Sequence, residues 1–241
     1  MVLPLYLALT GAEISKLQTL SFPCAYMACH FSPYSQGLAG VPESLPPESI
    51  LILDDQMECS GHDPQLVARQ LQNAAAKLDC SHILLDFQRP SNPESQEMVR
   101  IITHALPCPV AVTQGFADGL TSPVFLSPAP LHVPLTEYIS PWKDREIWLE
   151  AALGQEDIIV TKEGTNFIPR FLGDGYTDGL YCNELCCRYR TKIDGSHITF
   201  TLFDTAETLE KKLELAQSLG VTRAVGLWQE LDTIIRKSDT R

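Results

Sequence analysis

The side chains most able to do chemistry in this chain stand at the ends of its apolar runs. In Ser81-His82-Ile83-Leu84-Leu85-Asp86-Phe87-Gln88-Arg89-Pro90 a carboxylate, Asp86, and an amide, Gln88, follow a stretch that reads as a buried strand. A carboxylate placed there either faces a functional cleft or is satisfied by a buried partner such as Arg89. Asp54 and Asp55 close the run Ile50 to Leu53, with Glu58 close behind. Adjacent acids are most often a loop or helix-entry pair, yet their mutual repulsion can raise one pKa enough to make a proton donor. Tyr26 and His30, Gln114, Glu150, and Trp228 with Glu230 end or follow other apolar runs. Acids, amides and aromatic rings at the ends of buried runs are the candidates for a functional site.

Metal and cofactor chemistry find little support. The six histidines show no paired ligand spacing, and no glycine-rich phosphate loop or nucleotide fingerprint occurs, so no cofactor is implied. Cys182, Cys186 and Cys187 are clustered but form no CxxC pair, with His197 the only histidine nearby. Packed or paired thiols in a hairpin are the expectation, and no metal site.

Such side chains need a frame that brings strand ends together. Eight apolar runs recur along the chain, near Leu5, Tyr26, Ile52, Leu84, Val110, Phe125, Trp148 and Leu227, with helical patterns or polar loops between them. That alternation is the pattern of βα units around a parallel sheet. Residues 63–79, DPQLVARQLQNAAAKLD, give the most secure helix, with Asp63 as cap, Pro64 in the first turn and apolar residues at helical spacing. Residues 94–105 and 205–219 give two more, the last stopped by Gly220. Residues 155–204 break the alternation with two runs joined at Asp194-Gly195, a hairpin signal. The expected fold is a single (β/α)8 TIM barrel over residues 1–241. Its eighth strand lies at residues 224–228, and a small α+β insertion at 155–204 follows the seventh. In such a barrel the carboxyl ends of the strands carry function, which gathers the candidates at one opening.

A chain of 241 residues can bury a large core without disulfides or metals. A formal charge of −12 repels phosphate backbones and anionic lipid surfaces, so nucleic acid and membrane are not expected partners. The apolar start, MVLPLYLALTGAEI, has no Lys or Arg before it and is too short to span a bilayer, and it reads as a first strand. Reduced thiols in a cytoplasm are the simplest account of the eight cysteines.

The last third of the chain, from Cys186 to Leu231, runs hairpin, Phe203-Asp204-Thr205-Ala206, helix, Gly220 and a final strand with Gly226 and Trp228. It resembles the end of the family 18 glycoside hydrolases, particularly the spore-cortex and spore-germination type that act on N-acetylglucosamine polymers. The resemblance implies an eight-stranded barrel with an insertion after the seventh strand. It aligns Leu84, Asp86 and Gln88 with the last three named positions of the family's Asp-x-x-Asp-x-Asp-x-Glu strand, and Trp228 with the tryptophan that floors the sugar site. In that family the Glu protonates the leaving oxygen while the sugar's own N-acetyl group attacks, and the Asp two residues earlier steadies the cation. Gln88 stands in the place of the acid, and an amide has no such proton to give. Loss of a general acid costs roughly 3 to 5 kcal/mol of barrier.

The function this implies is binding of an N-acetylglucosamine-type glycan or small carbohydrate with weak or lost hydrolysis. Asp86 and Gln88 occupy the catalytic positions, with Trp228, Tyr26, Asp54, Asp55, Gln114 and Glu150 around the ligand. The alternatives are an active hydrolase with a relocated acid, from Asp54, Asp55 or Glu150, and an interaction scaffold without a ligand.

Overall fold

Short apolar runs become strands here because each must bury two faces, one toward the inside of a ring and one toward surrounding helices. A computed structural model describes residues 3–13, 22–170 and 178–231. Both chain ends of the expected domain and residues 171–177 of the expected insertion lie outside the described residues.

In chain order the described elements are β1 (Leu5–Leu9), β2 (Cys24–Phe31), β3 (Leu38–Ala39), β4 (Ile50–Asp54), α1 (Pro64–Leu78), β5 (His82–Asp86), α2 (Pro93–Ala105), β6 (Val110–Thr113) and β7 (Val124–Leu126). They continue with α3 (Leu135–Ile139), β8 (Ile147–Glu150), β9 (Gln155–Val160), β10 (Thr165–Arg170), β11 (Leu180–Cys182), β12 (Cys187–Asp194), β13 (His197–Phe203), α4 (Ala206–Ser218) and β14 (Val221–Leu227).

Eight of the strands close a parallel barrel in the order β1, β2, β4, β5, β6, β7, β8, β14 and back to β1. The closing pairs are Leu5 with Ala224 and Leu7 with Cys24. The two-residue β3 turns back antiparallel on β2. Alternation along each strand sorts the apolar residues into two layers. The interior holds Tyr6, Ala8, Ala25, Ile50, Ile52, Leu84, Ala111, Phe125, Trp148 and Val225. The outer layer, with Leu7, Leu51, Leu53, Ile83, Leu85, Val112 and Leu149, packs against helix residues such as Val67, Leu71, Met98 and Ile102. Each fully covered leucine stabilises the fold by about 2 kcal/mol relative to an exposed one.

The helices start where the side chains can cap them. Asp63 accepts the Gln65 N–H at 2.9 Å with Pro64 behind it, Asn92 and Ser95 form a reciprocal capping box, and Thr205 and Thr208 form another. α1 ends at Asp79 with φ 53° and α4 is followed by Gly220 with φ 93°.

At the amino end of the barrel Trp148 plugs the interior, fully buried. Its indole N–H donates to Glu146 at 3.0 Å, the Arg223 guanidinium lies 5.1 Å from its ring centre, and the His82 ring meets it edge-on at 5.3 Å.

After the seventh barrel strand, β8, the chain builds a separate antiparallel sheet in the order β10, β9, β13, β12, β11. Gly195, at φ 53°, makes the turn between β12 and β13 where Asp194 pairs with His197. Leu131, from the loop after β7, packs with Cys187 and Leu202 of this sheet, and Asp204 accepts the Gly154 N–H at 3.1 Å.

Candidate functional site

The carboxyl end of the barrel gathers acids because three interior-facing strand positions end in one. Asp54 continues the inward series Ile50, Ile52, and Asp86 continues His82, Leu84; the two acids are paired residues of adjacent strands. Glu150 ends β8 two residues after the inward Trp148. His30 is the β2 residue paired with Asp54.

Their protonation follows from burial and crowding. Burial raises the Asp54 carboxyl, against a hydrogen bond from the Gln56 N–H at 3.0 Å and the nearby His30, while Asp55 adds to the rise. Burial likewise raises Asp86, opposed by the Gln88 amide, which donates to its Oδ1, and assisted by Asp54 and Asp55. Glu150 is pushed up to about 7, by burial first and then by the charges of Asp86 and Glu230. Glu230 is itself raised by burial. Tyr138 of α3 completes this side: its hydroxyl donates to the Ser127 carbonyl at 2.9 Å and is pushed up to about 12 by burial and by Glu150. A half-protonated carboxyl beside a carboxylate can hold a proton on one side of a ligand and a negative charge on the other.

Other sequence candidates are placed elsewhere. Asp55 faces outward, is 5% exposed, and spends both oxygens on the backbone after β5, accepting from Gln88 N at 2.8 Å and Arg89 N at 3.0 Å. It shapes the turn that carries Gln88. Arg89 bonds Glu58 at 2.8 Å and the Gln56 carbonyl at 2.7 Å, so the expected alternative of an Asp86–Arg89 pair is not formed. Tyr26 belongs to the outer layer, and its hydroxyl donates to the Gly40 carbonyl at 2.9 Å. Gln114 is exposed in the short turn after β6, and its carbonyl accepts the Ala117 N–H at 3.3 Å.

Trp228 is displaced by one position. β14 turns Val225 and Leu227 inward, ends at Leu227, and Trp228 opens a helical turn that packs it against Leu9, Cys24 and Leu45. Leu227 takes the interior place at the end of this strand. The sequence reading passed over Tyr138 and Ser127, which lie in a proline-rich stretch where neither helical nor strand periodicity marks a face.

Two of the described cavities flank Arg89 beside the barrel. One of about 570 Å³ is lined by Asp55, Cys59, Arg89, Asn92 and neighbours, and another of about 640 Å³ by Tyr34, Met57, His62 and neighbours. Neither reaches Asp54, Asp86 or Glu150. Of residues 37–47 and 121–135, Phe125 of β7 packs in the interior cluster. Among the described residues no group of His, Cys, Asp and Glu is arranged to hold a metal ion, and no helix is long and apolar enough to cross a membrane.

No family model and no curated protein matches the chain. Solved structures do. A family 18 chitinase from Cycas revoluta in complex with (GlcNAc)4 superposes with a TM-score of 0.58 at 12% identity, over 98% of this chain and 99% of that one. A family 18 N-acetylglucosaminidase from Paenibacillus barengoltzii gives 0.59 at 10% identity, over 97% and 99%. The spore cortex-lytic enzyme SleL of Bacillus cereus gives 0.55 at 11% identity, over 97% of this chain and 74% of that one. The chain therefore has the TIM-barrel fold of the family 18 glycoside hydrolases.

Proposed function

We propose that the protein binds N-acetylglucosamine-type oligomers at the carboxyl end of its barrel and hydrolyses them weakly or not at all. The observation that carries this reading is the Gln88 amide, which donates to Asp86 at the position where the resemblance expects a proton-donating glutamate. Asp86 keeps the inward position expected of the residue that steadies a sugar's positive charge, while its neighbour has no proton to give a leaving group. Support for the ligand class comes from the fold: the chitinase from Cycas revoluta was captured with (GlcNAc)4, and a class V chitinase of the same fold with NAG4. A charge of −12 favours neutral N-acetylated oligomers over anionic wall polymers.

Titration calorimetry with chitin oligomers and peptidoglycan fragments, alongside a hydrolysis assay, tests the reading. Asp86→Ala is expected to weaken oligomer binding by about 1 to 3 kcal/mol, and Gln88→Glu to raise hydrolysis. Absence of binding at millimolar oligomer would leave the scaffold alternative.

A second reading, an active hydrolase with a relocated acid, is favoured by Glu150, whose carboxyl is half protonated near neutral pH. Under that reading the wild-type protein turns over an oligomer and Glu150→Gln loses 10²- to 10⁴-fold in rate while still binding, the range expected for removing a general acid. Turnover that survives in Glu150→Gln would exclude Glu150 as the donor.

A further inference from the structure

The cysteine cluster on the antiparallel sheet has no part in the barrel opening. β11 and β12 pair Leu180 with Tyr189, Tyr181 with Arg188, and Cys182 with Cys187, the last pair before the turn. Directly opposed residues of an antiparallel pair have Cα atoms about 4.5 to 5.5 Å apart. That spacing falls within the roughly 4.4 to 6.8 Å that a disulfide bridges. Cys186 leaves the ladder: it sits at φ 52°, and its sulfur accepts the Tyr181 hydroxyl at 3.6 Å. A bond between the chain neighbours Cys186 and Cys187 would close a small ring and strain the planar peptide between them. Cys182 is half-buried and reachable, whereas Cys187 is fully covered.

We propose that Cys182 and Cys187 form a dithiol site that a small-molecule disulfide, such as oxidised glutathione, converts to an intramolecular cystine. Cys182 gives its proton to solvent and its sulfur attacks one sulfur of the small disulfide, which splits into a mixed disulfide on Cys182 and a thiolate that takes up a proton. Cys187 then loses its proton and attacks the Cys182 sulfur, forming the Sγ–Sγ bond and releasing the second small thiol. The protein loses two electrons and the small disulfide gains them. Burial pushes the Cys187 thiol up to about 12, so little of it is thiolate and the second step is the slow one. Among the described residues β11 is the outermost strand of its sheet and pairs with β12, so the bond would add a covalent tie to that edge.

The full-length reduced chain incubated with oxidised glutathione, alkylated and cleaved at Glu184, separates Cys182 from the other two thiols for mass spectrometry. The expected result is a Cys182–Cys187 linked pair with Cys186 alkylated, preceded by transient glutathionylation of Cys182. Cys186→Ser should still form the bond, Cys187→Ser should stop at the mixed disulfide, and Cys182→Ser should form neither. Cys182→Ser changes a half-buried side chain, so it decides the matter even if Cys187→Ser folds poorly. Recovery of alkylated Cys182 from the wild-type chain, a link through Cys186, or an undiminished thiol loss in Cys182→Ser would overturn the proposal.

Discussion

Glu150 is a group whose ionisation opposes folding. Its carboxyl rises from 4.5 to about 7 because burial and the neighbouring charges of Asp86 and Glu230 disfavour the anion. Between those two values the folded chain holds more of this proton than the unfolded chain does. Its contribution is thus fully present below about pH 4.5 and is lost as the pH rises through about 7. The gap corresponds to about 3 kcal/mol at most. Glutamine cannot ionise, so Glu150→Gln is expected to be more stable than the wild type near pH 8, by up to that amount, and equal to it near pH 4.5. Urea unfolding at the two pH values measures this. A stability difference that does not change with pH would mean that Glu150 is an ordinary exposed acid.

Among the elements, β2 shows how backbone conformation sets which side chains reach the opening. Its register to β4 slips between Tyr26 and Cys29, and after that bulge His30 comes level with Asp54. The return strand lies so close that a Cβ on Gly40, at φ 70°, would stand 1.8 Å from the Ala28 carbonyl oxygen. Gly61 has a similar φ of 78° and open space around it. Gly40→Ala is therefore expected to cost more than about 3 kcal/mol and Gly61→Ala about 1, read as denaturation midpoints. Equal losses would show that the dihedral alone, and not the close approach, governs both.

The same strand marks where sequence reading ended. The runs that become β4, β5 and β14, the cap at Asp63, and the Asp194-Gly195 turn were legible because each has a local physical cause: apolar runs, a side-chain oxygen beside free N–H groups, a residue tolerant of positive φ. Sidedness at the strand ends was not legible. Barrel strands bury both faces, so alternation tells which residues share a side without telling which side is the interior. Tyr26, before the bulge, and Trp228, one residue past Leu227, both went to the outer layer for that reason, while Asp54, Asp86 and Glu150 followed the inward series.

For the molecule as a whole, Trp228 belongs to the closure of the ring. It covers Leu9 of β1 and Cys24 of β2 at the place where the first and last barrel strands meet, with Leu45 beside it. Trp228→Ala is expected to lower stability by about 2 to 4 kcal/mol. The folded fraction should keep its affinity for an N-acetylglucosamine oligomer. A lost affinity with unchanged stability would return Trp228 to the ligand.

That closure also imposes an order of events on biosynthesis. β1 pairs with β14 along Leu5 to Ala8, and β14 is the last barrel strand to leave the ribosome. Until it emerges, β1 has one open edge and β8 another, each an apolar row with unpaired amides and carbonyls that could join a neighbouring nascent chain. The growing chain must hold two sticky borders apart from the synthesis of β8 until that of β14. Pauses placed before Val221 would lengthen that exposure and raise the share of newly made protein lost to aggregates, whereas the finished ring offers neither border to a second molecule.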